Sequence, residues 1–149
     1  MNAKTEKKIE RFNKENVCIL LPSKPEYVSV VRMTSSVIAN KVGFNIEDID
    51  DIKVAVGEAC NNAVLHGCNN NFEVEFIISN DKLTVEVKDE GKGFNIDKCP
   101  KPDACNPKES GLGIFIIKSL MDNVEVQSSP GKGTIIRMTK YFNKEEVYN

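Results

Sequence analysis

Two short runs of alternating apolar residues stand on either side of Asn80-Asp81. The first holds Val74, Phe76 and Ile78 and spans Phe72 to Ser79; the second holds Leu83, Val85 and Val87. Alternation at a period of two sends neighbouring side chains to opposite faces of a strand. A two-residue polar break between such runs turns the chain back, so the two pair as an antiparallel hairpin. One face of that hairpin is apolar and needs a cover. Two helices precede it in the sequence. Pro25 opens a helix that runs to about Val42, with Val28, Val31, Ser35 and Ile38 on one side, and Gly43 ends it. Asn45 is placed to cap a second helix, with acids from Asp48 to Asp51 in its first turns. Ile49, Ile52, Val56, Ala59 and Ala63 recur at spacings of three and four and form its apolar face. This helix runs to about His66, and Gly67 stops it.

The remaining elements follow the same logic. Asn16 to Leu21 reads as a leading strand, Gly111 to Met121 as a third helix, and Val124 to Gln127 and Thr134 to Thr139 as closing strands. Asp89 to Ser110 has little periodicity and reads as a long loop, of the kind that usually serves function. The order β-α-α-β-β-loop-α-β-β predicts an α+β fold. It is a two-layer sandwich whose mixed, mostly antiparallel sheet is covered on one face by helices. With 149 residues, 40% hydrophobic and 28% charged, the chain suits a single domain over 1–149 and excludes a disordered polymer. A net charge of −2 argues against a nucleic-acid coat or a polybasic membrane anchor. No apolar stretch is long enough to span a bilayer, and Met1 to Lys14 is polar, so a cytoplasmic location is expected. Cys18, Cys60, Cys68, Cys99 and Cys105 show no Cys-x-x-Cys pair, and one histidine leaves few further zinc ligands. Free thiols are expected.

Three segments carry unusual chemistry. Glu58, Asn62 and His66 lie four apart on the second helix and form one polar stripe beside its apolar face. A carboxylate and a carboxamide one turn apart suit a nucleotide site: the amide oxygen is a hard neutral ligand for Mg²⁺, and the acid can polarise a hydroxyl. Asp89-Glu-Gly91-Lys-Gly93-Phe94 follows a strand directly. Its acid can accept from an exocyclic amine, and its glycines admit a flat ring close to the backbone. Ser110-Gly111-Leu-Gly113 opens a helix whose free N–H groups suit phosphate. Gly131-Lys132-Gly133-Thr134 falls short of a Walker A loop, because Lys132 is followed by glycine and the segment lies in a hairpin turn. No Gly-x-Gly-x-x-Gly and no leading βαβ unit supports a dinucleotide fold.

In this order, Glu58-x-x-x-Asn62-x-x-x-His66-Gly67, Asp89-x-Gly91-x-Gly93-Phe94, Gly111-x-Gly113-Ile114 and Gly133-Thr134 resemble the Bergerat ATP-binding fold of the GHKL superfamily. More closely, the chain is similar to anti-sigma-factor serine kinases of the RsbW and SpoIIAB type. That likeness runs from about Val17 to Phe142 and includes Leu120-Met121-Asp122, Ser128-Ser129-Pro130 and Met138-Thr139-Lys140. The resemblance implies ATP and Mg²⁺ as cofactors and assigns roles. Glu58 is the general base and Asn62 the magnesium ligand. Asp89 accepts from the adenine amine, helped by a water and Thr134. Gly91 and Gly93 shape the adenine pocket, with His66 in the same stripe as Glu58 and Asn62. Gly111 and Gly113 bind phosphate, and Lys108 to Ser110 form the lid. The lid segment from Asp97 to Glu109 departs from the family pattern by lacking a Thr-Thr pair and an arginine, and Lys108 takes the place of that charge.

As partners the resemblance implies a sigma factor and an anti-anti-sigma protein substrate, both contacted by Arg32 on the first helix, and a homodimer through that helix. Val28, Val31 and Ile38 are its apolar residues left to cover. No direct contact with nucleic acid or membrane is implied. Two other readings stay open at this point: the catalytic half of a histidine kinase, and an ATP-binding partner switch acting on a target other than a sigma factor.

Overall fold

The computed structural model describes residues 14–66, 71–91 and 111–142. Strand β1 (Glu15–Pro22) leads through a 3-10 turn at Pro25–Tyr27 into helices α1 (Val28–Val42) and α2 (Ile46–His66). Strands β2 (Asn71–Ile78) and β3 (Lys82–Asp89) follow, then α3 (Leu112–Leu120), β4 (Asn123–Ser128) and β5 (Thr134–Tyr141). The expectations for Gly67, Gly93, Lys108 and Ser110, for the lid, for the leader up to residue 13, and for Cys68, Cys99 and Cys105 lie outside the described residues.

The strands form one sheet in the order β1-β2-β3-β5-β4. The expected sheet is mixed and mostly antiparallel; every pairing among the described residues is antiparallel. The reason is topological. β3 and β4, joined through α3, do run in the same direction, but the tight β4–β5 connection folds β5 in between them. The β2–β3 turn closes at Asn80-Asp81, where the Ser79 N–H donates to the Lys82 carbonyl at 3.0 Å.

Register carries the alternation right across the sheet. Ile19, Val74, Val87, Ile136 and Val126 make one row, and Val17, Phe76, Val85, Met138 and Val124 the next. Phe72, Val74, Phe76, Leu83, Val85, Ile136 and Met138 are buried beneath the helices. Truncating a ring such as Phe76 to alanine typically costs about 3–5 kcal/mol.

Both long helices present their apolar stripes to this face. In α1 the buried positions are Val28, Val31, Ser35, Ile38 and Ala39. The three apolar residues expected to await a second copy therefore lie in the molecule's own core. The exposed apolar residues of α1 are Val30, Met33 and Val37, on the opposite side. At the start of α2, Asn45 Oδ1 accepts from the Asp48 N–H at 2.8 Å, the cap its sequence predicts. The far end of α3 is clasped to β5. Lys140 Nζ donates to the Leu120 carbonyl at 2.7 Å, and Asp122 Oδ2 accepts from the Tyr141 N–H at 2.7 Å. The opposite end of α3 lies against α2, where Gly113 meets Glu58. Among the described residues no helix is long and apolar enough to cross a membrane.

Candidate nucleotide and phosphotransfer site

The third row of the sheet is different in kind. It reads Leu21, Phe72, Asp89, Thr134, Ser128, apolar at one end and polar at the other. Asp89 ends β3 and is only 8% exposed. Burial raises its carboxyl pKa above the usual aspartate range, while the Gly91 hydrogen bond and the charge of His66 pull it down. Asp89 Oδ1 accepts from the Gly91 N–H at 2.9 Å, a local turn that fixes the carboxyl and buries Gly91. The carboxylate has acceptor positions beyond that one bond, as an amine ligand needs.

Gly133 explains why the neighbouring strand begins with Gly-Thr. Its φ is +76°, and a Cβ there would stand 2.2 Å from the Asp89 carbonyl oxygen. Only glycine allows the two backbones to meet so closely. That contact sets Thr134, itself buried, directly opposite Asp89. Ser128 completes the group, with its Oγ 2.7 Å from Thr134 Oγ1.

The second cluster stands on α2 and the start of α3. Glu58 is half-buried, and a Cβ on Gly113 would lie 3.2 Å from Glu58 Oε2. The glycine thus leaves open the space between the acid and the α3 N-terminus. Gly111 caps that helix in the left-handed region at φ 71°, and among the described residues no side-chain cap bonds its first N–H groups. Asn62, one turn beyond Glu58, has a buried amide nitrogen without a hydrogen-bond partner. An amide reverses end for end without changing shape, so the position offers a neutral oxygen equally well. A buried, unpartnered amide beside a carboxylate fits a hydrated magnesium ion that takes its remaining ligands from phosphate. No group of three or more His, Cys, Asp or Glu residues that could hold a metal occurs among the described residues.

Arg32 lies across Gly57, the residue before Glu58: a Cβ on Gly57 would stand 3.1 Å from Arg32 Cδ. The guanidinium is also close enough to oppose the rise of the Cys60 thiol, which burial pushes up to about 12. Cys18 and Cys60 are both free.

Residues 21–140 match the histidine kinase-like ATPase domain family. The chain belongs to that family. It is 40% identical over 139 residues to the serine-protein kinase RsbW of Bacillus velezensis, covering 85% of this chain and 86% of that one. The serine-protein kinase RsbW of Bacillus licheniformis is 42% identical over 139 residues, with 85% of each chain covered. That of Bacillus subtilis is 36% identical over 147 residues, with 91% of each covered. A crystal structure of the RsbU and RsbW domains of a Mycobacterium tuberculosis protein superposes with a TM-score of 0.64 at 20% identity. It covers 85% of this chain and 32% of that one, and establishes the fold. Within the histidine kinase-like ATPase family the chain therefore groups with the RsbW kinases, and its nucleotide is ATP.

The structure brings Asp89, Gly91 and Thr134 together at one end, with His66 near enough to act on Asp89 electrostatically. It sets Glu58 beside Gly113 at the other. The sequence alone does not single out Gly57, and it names Ser128 and Gly133 only as part of the family likeness, without a role of their own. Gly133 had a visible signal, a glycine directly before the strand's first threonine. Gly57 had none, because it acts through Arg32 on another helix; Ser128 acts within its own hairpin, through Gly133 and Thr134.

Proposed function

We propose that the chain is an anti-sigma factor and serine kinase that transfers the γ-phosphoryl of ATP to a serine of an anti-anti-sigma protein. The observation that carries this reading is the open carboxylate of Glu58 facing the N-terminus of α3, in a chain akin to serine-protein kinases. Asp89 accepts from the adenine amine. The free N–H groups of α3 receive the phosphates. Glu58 takes the proton of the serine hydroxyl as its oxygen bonds to the γ-phosphorus; the bond from that phosphorus to the β,γ-bridging oxygen breaks, and ADP leaves. Asn62 would hold Mg²⁺, which supplies charge neutralisation at the phosphates when bound. Lys108 and Ser110, with Gly93, belong to the same reading as lid and adenine-pocket residues.

Arg32 contacts the partner proteins. Its seat over Gly57, one residue from Glu58, supports that role, because a serine presented to the base passes close to it. Phosphorylation adds a charge of about −1.5 to −2 and so weakens the antagonist's grip. The exposed stripe Val30, Met33 and Val37 is the part of α1 suited to a homodimer. A sigma factor as partner places the protein in the cytoplasm.

The test is incubation of the chain with radiolabelled ATP, Mg²⁺ and candidate antagonists. Label on serine is the expected result. Label stable to base and lost in acid would instead select a histidine acceptor, and ATP binding without transfer a pure switch. The RsbW relatives at about 40% identity favour the first.

A further inference from the structure

The β4–β5 hairpin makes polar contacts that the phosphotransfer reading leaves unused. Ser128, the last residue of β4, sits opposite Thr134, and Thr134 sits opposite Asp89. Three polar side chains thus stand in line across the sheet. Ser128 Oγ is 2.7 Å from Thr134 Oγ1 and donates to the Gly133 carbonyl at 3.2 Å. A carbonyl oxygen only accepts, and a serine hydroxyl carries a single proton. With that proton directed to Gly133, the short contact is made by the Thr134 proton pointing at Ser128. Thr134 then has only lone pairs to offer elsewhere. Thr134 is 3% exposed, so solvent does not compete for its own hydroxyl.

We infer that Ser128 is a positioning residue that sets Thr134 as an acceptor beside the Asp89 carboxylate, so that the pocket selects a purine with a 6-amino group over one with a 6-oxo group. Two adjacent acceptors match the two protons of an amine, directly or through a water, and leave a carbonyl without a donor. The same serine ties the Gly133 carbonyl, and so steadies the glycine whose backbone meets Asp89. This inference rests on the reading that the site binds ATP.

Inosine triphosphate differs from ATP only in carrying the 6-oxo group and a proton on N1. Calorimetric titration of the full chain with each nucleotide gives the preference directly. The unaltered chain is expected to favour ATP; equal binding of both would break the adenine reading itself, before Ser128 is changed. Ser128→Ala is expected to narrow the preference about tenfold, mainly by weakening ATP. Ser128→Thr, which keeps a hydroxyl, is expected to retain it. An equal change for both nucleotides, an unchanged ratio, or the same narrowing in Ser128→Thr would overturn the role of Ser128. Should thermal unfolding show that Ser128→Ala does not fold, Ser128→Cys reads the same ratio, since its thiol keeps the volume but hydrogen-bonds weakly.

Discussion

At one end of the site the Asp89 carboxyl and the Thr134 and Ser128 hydroxyls are held by bonds within the fold. At the other, the Asn62 amide nitrogen is buried with no partner. The first cluster lies on three neighbouring strands, where backbone register sets positions and the Gly133–Asp89 contact locks two of them together. The second lies between two helices, with a glycine where a side chain would close the gap to Glu58. In the proposed function, a base that must be told apart from close relatives would meet rigid groups, and phosphates arriving with water and a cation would meet groups still to be satisfied. On this contrast, substitutions at the strand end disturb the fold or the affinity, and those at the helix end spare the fold and alter the chemistry.

The sharpest break of that contrast comes at Glu58. Glu58→Gln is expected to lower phosphoryl transfer by about 10²–10⁴-fold while ATP affinity stays within a few-fold, read by single-turnover kinetics and calorimetry. Unchanged transfer would remove Glu58 as the base. Next in size is Gly133→Ala. It forces a left-handed side chain into the Asp89 carbonyl and is expected to destabilise the fold by about 3 kcal/mol or more, measured by denaturant unfolding.

Asp89→Asn comes third and separates affinity from stability. Burial raises the Asp89 pKa above its ordinary 3.8. A folded-state value above the unfolded one is favourable to the fold only below that ordinary value, and the benefit is lost as pH rises through the folded one. At neutral pH the ionised carboxylate thus weakens the ligand-free protein. The variant is expected to be as stable as the parent or more so at pH 7, yet to bind ATP about 10–100-fold more weakly. Thermal unfolding paired with titration checks both. The smallest effect on the fold is expected for Asn62→Ala. It removes an unpartnered buried amide and leaves ligand-free stability within about 1 kcal/mol, while abolishing the gain in ATP affinity on adding Mg²⁺.

Much of the scaffold was legible because it rests on local rules. The Asn45 cap, the stripe Val28-Val31-Ser35-Ile38 and the Asn80-Asp81 turn are each written within a few neighbouring residues. Asp89 and Glu58 were legible as chemistry through their place beside glycines and on a helix face. What escaped depends on long-range approach. Gly57 matters because Arg32, on another helix, crosses it, and Gly133 because the end of β3 touches it. The expected dimer face on α1 rests on apolar content alone. Val28, Val31 and Ile38 sit on the core side, and that side is decided only once the sheet is in place. The lack of a parallel pair among the described strands has the same origin, since β5 enters between β3 and β4 by a connection that no local pattern announces.

Titration of the folded chain with ATP, with and without Mg²⁺, tests the central claim most directly. One nucleotide is expected to bind per chain, more tightly with magnesium present. A flat calorimetric trace up to millimolar ATP, from protein shown to be folded, would contradict the assignment of Asp89, Thr134, Glu58 and Asn62 to one nucleotide site.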